Sequence, residues 1–137
     1  MIPLLFERLQ LWSDLRRQGF KAPIESWEPS SDAARRFARS RSDCHAWGSC
    51  PLQHYFTTIL GIQPAAWGFR RVEIRPQPGP LAHAAGRLVH PADGEIVVEV
   101  RRNADALHGR VALPAHLAGT LVLPGGARPL DAGETRF

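Results

Sequence analysis

The hydrophobic pattern changes period near residue 69, and a fold built from one kind of element cannot serve both halves. Beyond Phe69, Val72 and Ile74 alternate with Arg71, Glu73 and Arg75 until Pro76 ends the run. Ile96, Val98 and Val100 alternate in the same way with Val97, Glu99 and Arg101. Leu107, Val111 and Leu113 share a face opposite His108 and Arg110, and Leu121 and Leu123 precede the turn Pro124-Gly125-Gly126. A period of two, punctuated by proline and glycine, reads as an antiparallel sandwich whose strands could lie in one sheet or two.

Before residue 69 the period is helical. Over residues 4–17, Leu5, Leu9 and Trp12 form one line and Leu4, Leu11 and Leu15 an adjacent one, with the charged residues elsewhere. Arg16 and Arg17 suit the negative end of that helix, and Gly19 supplies a left-handed stop. A second helix is expected from about Pro51 to Leu60, where Leu52, Tyr55, Phe56, Ile59 and Leu60 make a wide apolar stripe ended by Gly61. Gln63 to Gly68 reads as a linker. The expected fold class is therefore α+β, with two main helices in residues 1–69 and an antiparallel β-sandwich-like module in residues 70–137.

Between the helices, residues 20–48 are irregular apart from a short helical turn expected over Asp32 to Arg39. A loop of this length that carries Trp27, Phe37 and Trp47 reads as a packed functional loop. It holds Ile24-Glu25-Ser26-Trp27-Glu28-Pro29 and, further on, Arg41-Ser42-Asp43-Cys44-His45-Ala46-Trp47-Gly48. Carboxylates that can move protons, an imidazole and indole rings that can cover the apolar face of a pyranose suit the binding and hydrolysis of a sugar.

Composition removes several alternatives. The chain has 137 residues, is 44% hydrophobic and 22% charged, which is ordinary for a globular protein and argues against disorder. A net charge of +4 invites a nucleic-acid reading. However, the arginine doublets at 16–17, 35–36, 70–71 and 101–102 fall in different elements and form no single basic face. Cys44 and Cys50 lack the spacing of a zinc or redox motif, so no metal or cofactor is expected. The apolar start Met1 to Phe6 is cut short by Glu7 and Arg8, and no run could span a bilayer. The expected location is the cytoplasm, with neither nucleic acid nor membrane as partner.

The arrangement resembles the C-terminal end of bacterial α-L-rhamnosidases, inverting glycoside hydrolases with an α/α barrel followed by a β-sandwich. Ser42-Asp43-Cys44-His45-Ala46-Trp47 carries the likeness, together with the helix Pro51 to Leu60 running into Gly61-Ile62-Gln63-Pro64. Gly68-Phe69-Arg70-Arg71-Val72-Glu73-Ile74-Arg75-Pro76, Gly94-Glu95-Ile96 and the endings Leu113-Pro114 and Leu123-Pro124 extend it over nearly the whole chain.

The resemblance implies that the helices are the last of a barrel and that Glu25 is the general base, with Glu28, directly after Trp27, as the runner-up. The threonine pair usual before the base is replaced here by Lys21-Ala22. The resemblance also implies that His45 contacts the sugar; Trp27 and Trp47 could wall its pocket. In the family the general acid lies far upstream, on helices absent from this sequence. The expectation is thus a segment inactive alone that acts on a rhamnose-containing glycoside when the barrel is complete. Its helix faces, Leu5, Leu9 and Trp12 and then Tyr55, Phe56 and Ile59, are expected to meet an upstream barrel segment or a second copy. The alternative is a non-catalytic carbohydrate-binding or packing module.

Overall fold

A computed structural model of the chain describes residues 2–19, 21, 45–104 and 106–137. Two compact units divide it, one from Met1 to Gln53 and one from His54 to Phe137. In the first unit, helix α1 runs over Ile2–Arg17, with Arg16 and Arg17 in its last turn. Gly19 follows at φ 91°, the expected left-handed stop. Leu15 is buried, Leu5, Leu9, Leu11 and Trp12 are half-buried, and Leu4 is 54% exposed.

The helix expected over Pro51 to Leu60 is regular only as a short α2, Cys50–His54. Tyr55–Ile59 then widen into a π-turn, closed by the Leu60 N–H donating to the Tyr55 carbonyl at 2.9 Å. Phe56, Ile59 and Leu60 of its apolar stripe are used inside the second unit, whereas Leu52 is 62% exposed. Ile59 is 1% exposed, and Leu60 and Phe56 approach Gly86 so closely that a Cβ there would stand 2.6 Å from Leu60 Cδ1. Gly61 ends the turn at φ 70°, where any Cβ would collide with the Arg75 backbone.

Eight strands follow: β1 Ile62–Pro64, β2 Arg71–Ile74, β3 His83–Val89, β4 Glu95–Asn103, β5 Ala106–Leu113, β6 Ala118–Leu123, β7 Gly126–Leu130 and β8 Gly133–Arg136. They form two four-stranded sheets, ordered β1-β2-β6-β7 and β3-β4-β5-β8. Alternation places Val72, Ile74, Leu121 and Leu130 on the buried side of the first sheet. It places Ala84, Ile96, Val98, Val100, Val111 and Leu113 on that of the second. The result is an α+β chain with a sandwich-like module.

Two expectations are corrected. Gln63 to Gly68 is no linker, because Ile62–Pro64 pairs antiparallel with β2, with Ile62 opposite Ile74, and Trp67–Phe69 form a 3₁₀ turn. One junction is also parallel, β2 with β6, with Arg71 opposite Ala118. The chain leaves the first sheet after β2, builds three strands of the other, and so returns in the same direction.

Candidate functional site

Of the residues singled out for sugar chemistry, Glu25, Trp27 and Glu28 lie outside the described residues, as do Cys44 and the turn expected over Asp32 to Arg39. His45 and Trp47 are brought into one tight turn. The half-buried His45 precedes the 3₁₀ helix Ala46–Ser49, and its carbonyl accepts from the Gly48 N–H at 2.9 Å. The Ser49 hydroxyl donates to the Ala46 carbonyl at 2.5 Å and closes the same turn. Cys50 beyond it is a free, exposed thiol.

A second cluster, built from residues far apart in the chain, lies at the β1–β2 connection. Gly68 and Phe69 are left-handed in succession, at φ 66° and 58°. For phenylalanine that conformation is strained by about 1–2 kcal/mol. Phe69 is held there by His90, a polar side chain that is only 3% exposed, whose Nε2 lies 2.9 Å from the Phe69 carbonyl.

The hydrogen bonds fix the imidazole tautomers. The Ala92 N–H can only donate, and it reaches His90 Nδ1 at 3.2 Å. That nitrogen therefore carries no proton, and Nε2–H donates to the Phe69 carbonyl. His116 Nε2, 3.1 Å from the same Nδ1, must also donate to it. The rings pack as well, with centroids 5.1 Å apart for Phe69 and His90 and 4.8 Å for His90 and His116. Trp67, one residue before the two left-handed ones, is 96% exposed.

No local pattern announces this cluster. His90 bonds a residue 21 positions away and His116 lies 26 positions from His90. The available signals were Val89-His90-Pro91 and Pro114-Ala115-His116, histidines beside turn prolines, and a Trp-Gly-Phe run inside an apparent linker.

The outer face of the β3–β8 sheet carries a line of ion pairs across strands. Arg110 on β5 donates to Glu99 on β4 at 3.2 Å and to Glu134 on β8 at 3.1 Å. Arg101 also reaches Glu99, and Arg136 reaches Glu134, each at 2.9 Å. Arg110 first and Arg101 second hold the Glu99 carboxyl below its usual range. Arg136 and then Arg110 do the same for Glu134, and the two carboxylates raise Arg110 in return. Each of these five groups has an opposite-charge partner, so both carboxylates are engaged in ion pairs rather than left open to a substrate.

Fold and site define a β-sandwich module preceded by helices, with a histidine-latched aromatic turn at its start. Residues 61–137, more than half of the chain, match the family model for the bacterial alpha-L-rhamnosidase C-terminal domain, and the chain belongs to this family. The structure is similar to that of alpha-L-rhamnosidase from Dictyoglumus thermophilum, with a TM-score of 0.72 at 16% identity over 90% of this chain. A family GH78 rhamnosidase of Bacillus sp. GL1 gives 0.61 at 28% identity over 89% of it. The native rhamnosidase from Aspergillus terreus gives 0.59 at 25% identity over 70%. The chain spans only 16%, 13% and 12% of those three proteins, respectively. No curated protein matches it.

Proposed function

We propose that this chain is the C-terminal part of an inverting glycoside hydrolase of the α-L-rhamnosidase kind, inactive until an upstream barrel completes it. The observation that carries this reading is the reach of the likeness. Coverage of 89% and 90% by two rhamnosidase structures exceeds residues 61–137, and so takes in helical residues before the sandwich.

In this reading Glu25 is the base that removes a proton from the attacking water, with Glu28 as the alternative. His45 contacts the rhamnose, and Trp27 and Trp47 exclude bulk water. A carboxylic acid on the upstream barrel protonates the leaving oxygen, and room for water between the two carboxyls gives inversion. The half-buried stripe Leu5, Leu9 and Trp12 packs against those upstream helices or a second copy of the chain.

The test is hydrolysis of a chromogenic α-L-rhamnoside. The chain alone should give none. Joined to a rhamnosidase barrel it should release the β anomer first, and Glu25→Gln should lower the rate about 10²–10⁴-fold. Full activity in Glu25→Gln with loss in Glu28→Gln would move the base to Glu28, and the α anomer as first product would end the inverting reading.

A second reading, a non-catalytic carbohydrate-binding module, is favoured by one observation: the sandwich unit holds an indole, Trp67, almost entirely in solvent.

A further inference from the structure

We propose that Trp67 and Arg70 form a saccharide platform on the sandwich that takes one pyranose ring of a glycoside. The choice of a sugar rests on the carbohydrate-binding reading above. A fully exposed indole forgoes about 2 kcal/mol or more that burial would provide. The turn beneath it is built to hold its shape, since two left-handed residues are fixed by His90 and His90 in turn by Ala92 and His116. Strained backbone that the surroundings over-determine marks places where geometry serves a ligand.

A polar group shares the turn with the indole. The Arg70 side chain folds along the turn, with Nε 3.9 Å from where a Gly68 Cβ would be. Arg70 has no ion-pair partner among the described residues, so its donors remain available for hydroxyl groups. A shallow depression of about 550 Å³, lined by residues 64–69, lies at the indole. An apolar wall with one fork of donors matches a pyranose, whose faces are partly C–H and whose edges are hydroxyl.

The size of the surface decides between a sugar and a protein. A stable protein partner needs about 800 Å² and 20–30 residues on each side. Here the flanking Ala65, Ala66 and Gly68 are small, and Val89 is the one other large apolar side chain of this unit exposed among the described residues. Among the described residues of this unit the surface offers one large ring face, which matches the face of a single sugar ring.

The experiment titrates the purified chain with methyl α-L-rhamnopyranoside and follows its four indole N–H signals by NMR, the Trp67 signal being assigned by its loss in Trp67→Phe. The expected result is a saturable shift of the Trp67 signal with a millimolar dissociation constant. Trp67→Ala should weaken binding at least about tenfold, roughly 1.4 kcal/mol, with an unchanged melting temperature, and Arg70→Gln should weaken it too. The Trp67 shift should persist in His45→Ala, whatever that variant does to the other three indole signals.

A Trp67 signal that never moves overturns the platform. If sugar still binds, and His45→Ala abolishes it while Trp67→Ala does not, the platform fails and carbohydrate binding stands. If nothing binds, both fall, leaving the hydrolase reading to its own test. If Trp67→Ala instead changes the oligomeric state, the surface is a protein contact and the proposal is wrong.

Discussion

Ala104 sits at φ 51° in the turn between β4 and β5, inside the loop closed by the Asn103–Ala106 pair. A left-handed alanine costs about 1–2 kcal/mol, whereas glycine adopts that conformation freely at an entropic cost of about 0.5–1 kcal/mol. Ala104→Gly should therefore stabilise the chain by about 0.5–1 kcal/mol in urea unfolding, and a lower midpoint would show that the turn is not under strain. Phe69 is left-handed too, but its ring packs on His90, so the same exchange there would keep the carbonyl's hydrogen bond and remove the ring contact. The strain at both positions arises from the residue in its fold. Nothing in the strings Asn103-Ala104 or Gly68-Phe69 distinguishes them from ordinary turns.

At the scale of elements, β2, β4, β5 and β6 were legible because each alternates large apolar residues with polar ones over a half-buried surface. β3 was not, because its inward positions include Ala84 and Gly86, the latter kept small by Phe56 and Leu60. Its free edge is met by Tyr55, whose hydroxyl donates to the Ala85 carbonyl at 2.8 Å and accepts from the Ala85 N–H at 3.1 Å. That hydroxyl stands in for one pairing of a missing strand. β7 carries Pro129, tolerated because the strand lies at the sheet edge, and β8 is polar and short.

The ion pairs joining β4, β5 and β8 make a prediction at this same scale. The carboxyls of Glu99 and Glu134 are held below their usual range, so their contribution is present above the usual glutamate value of about 4.3 and is lost as pH falls through their lower folded values. Arg110 is raised, so its share fails only in strong alkali. The melting temperature should be level from neutral pH to about 5 and fall below about 4. Glu99→Gln should lower it by a few degrees at pH 7 in low salt, with the difference shrinking in acid and in high salt. A difference that persists at the acid end would assign the effect to packing.

For the whole molecule, the apolar line of α1 makes the prediction. Leu5, Leu9 and Trp12 stay half-buried and Leu4 is largely exposed. The chain should therefore associate in sedimentation equilibrium, and Leu9→Asp should disperse it. A clean wild-type monomer would retire the docking role of this helix. The general plan, helices first and a β module after, was readable from the change of period. The latch of His90 and His116 was not, because it exists only once strands separated in the chain have been brought to one end of the sandwich.

The parallel junction also bears on how such a module can be made and inherited. β2 ends at Ile74 and its neighbour β6 begins at Ala118, so the first sheet cannot be completed until β3, β4 and β5 have been synthesised. Closing so long a loop comes late and raises contact order, which slows folding. During synthesis the β1–β2 hairpin waits as an open edge, exposed to wrong pairings. A break or fusion point inside residues 75–117 would leave the first sheet without its central pairing. The sandwich is therefore transferable between genes only as a whole.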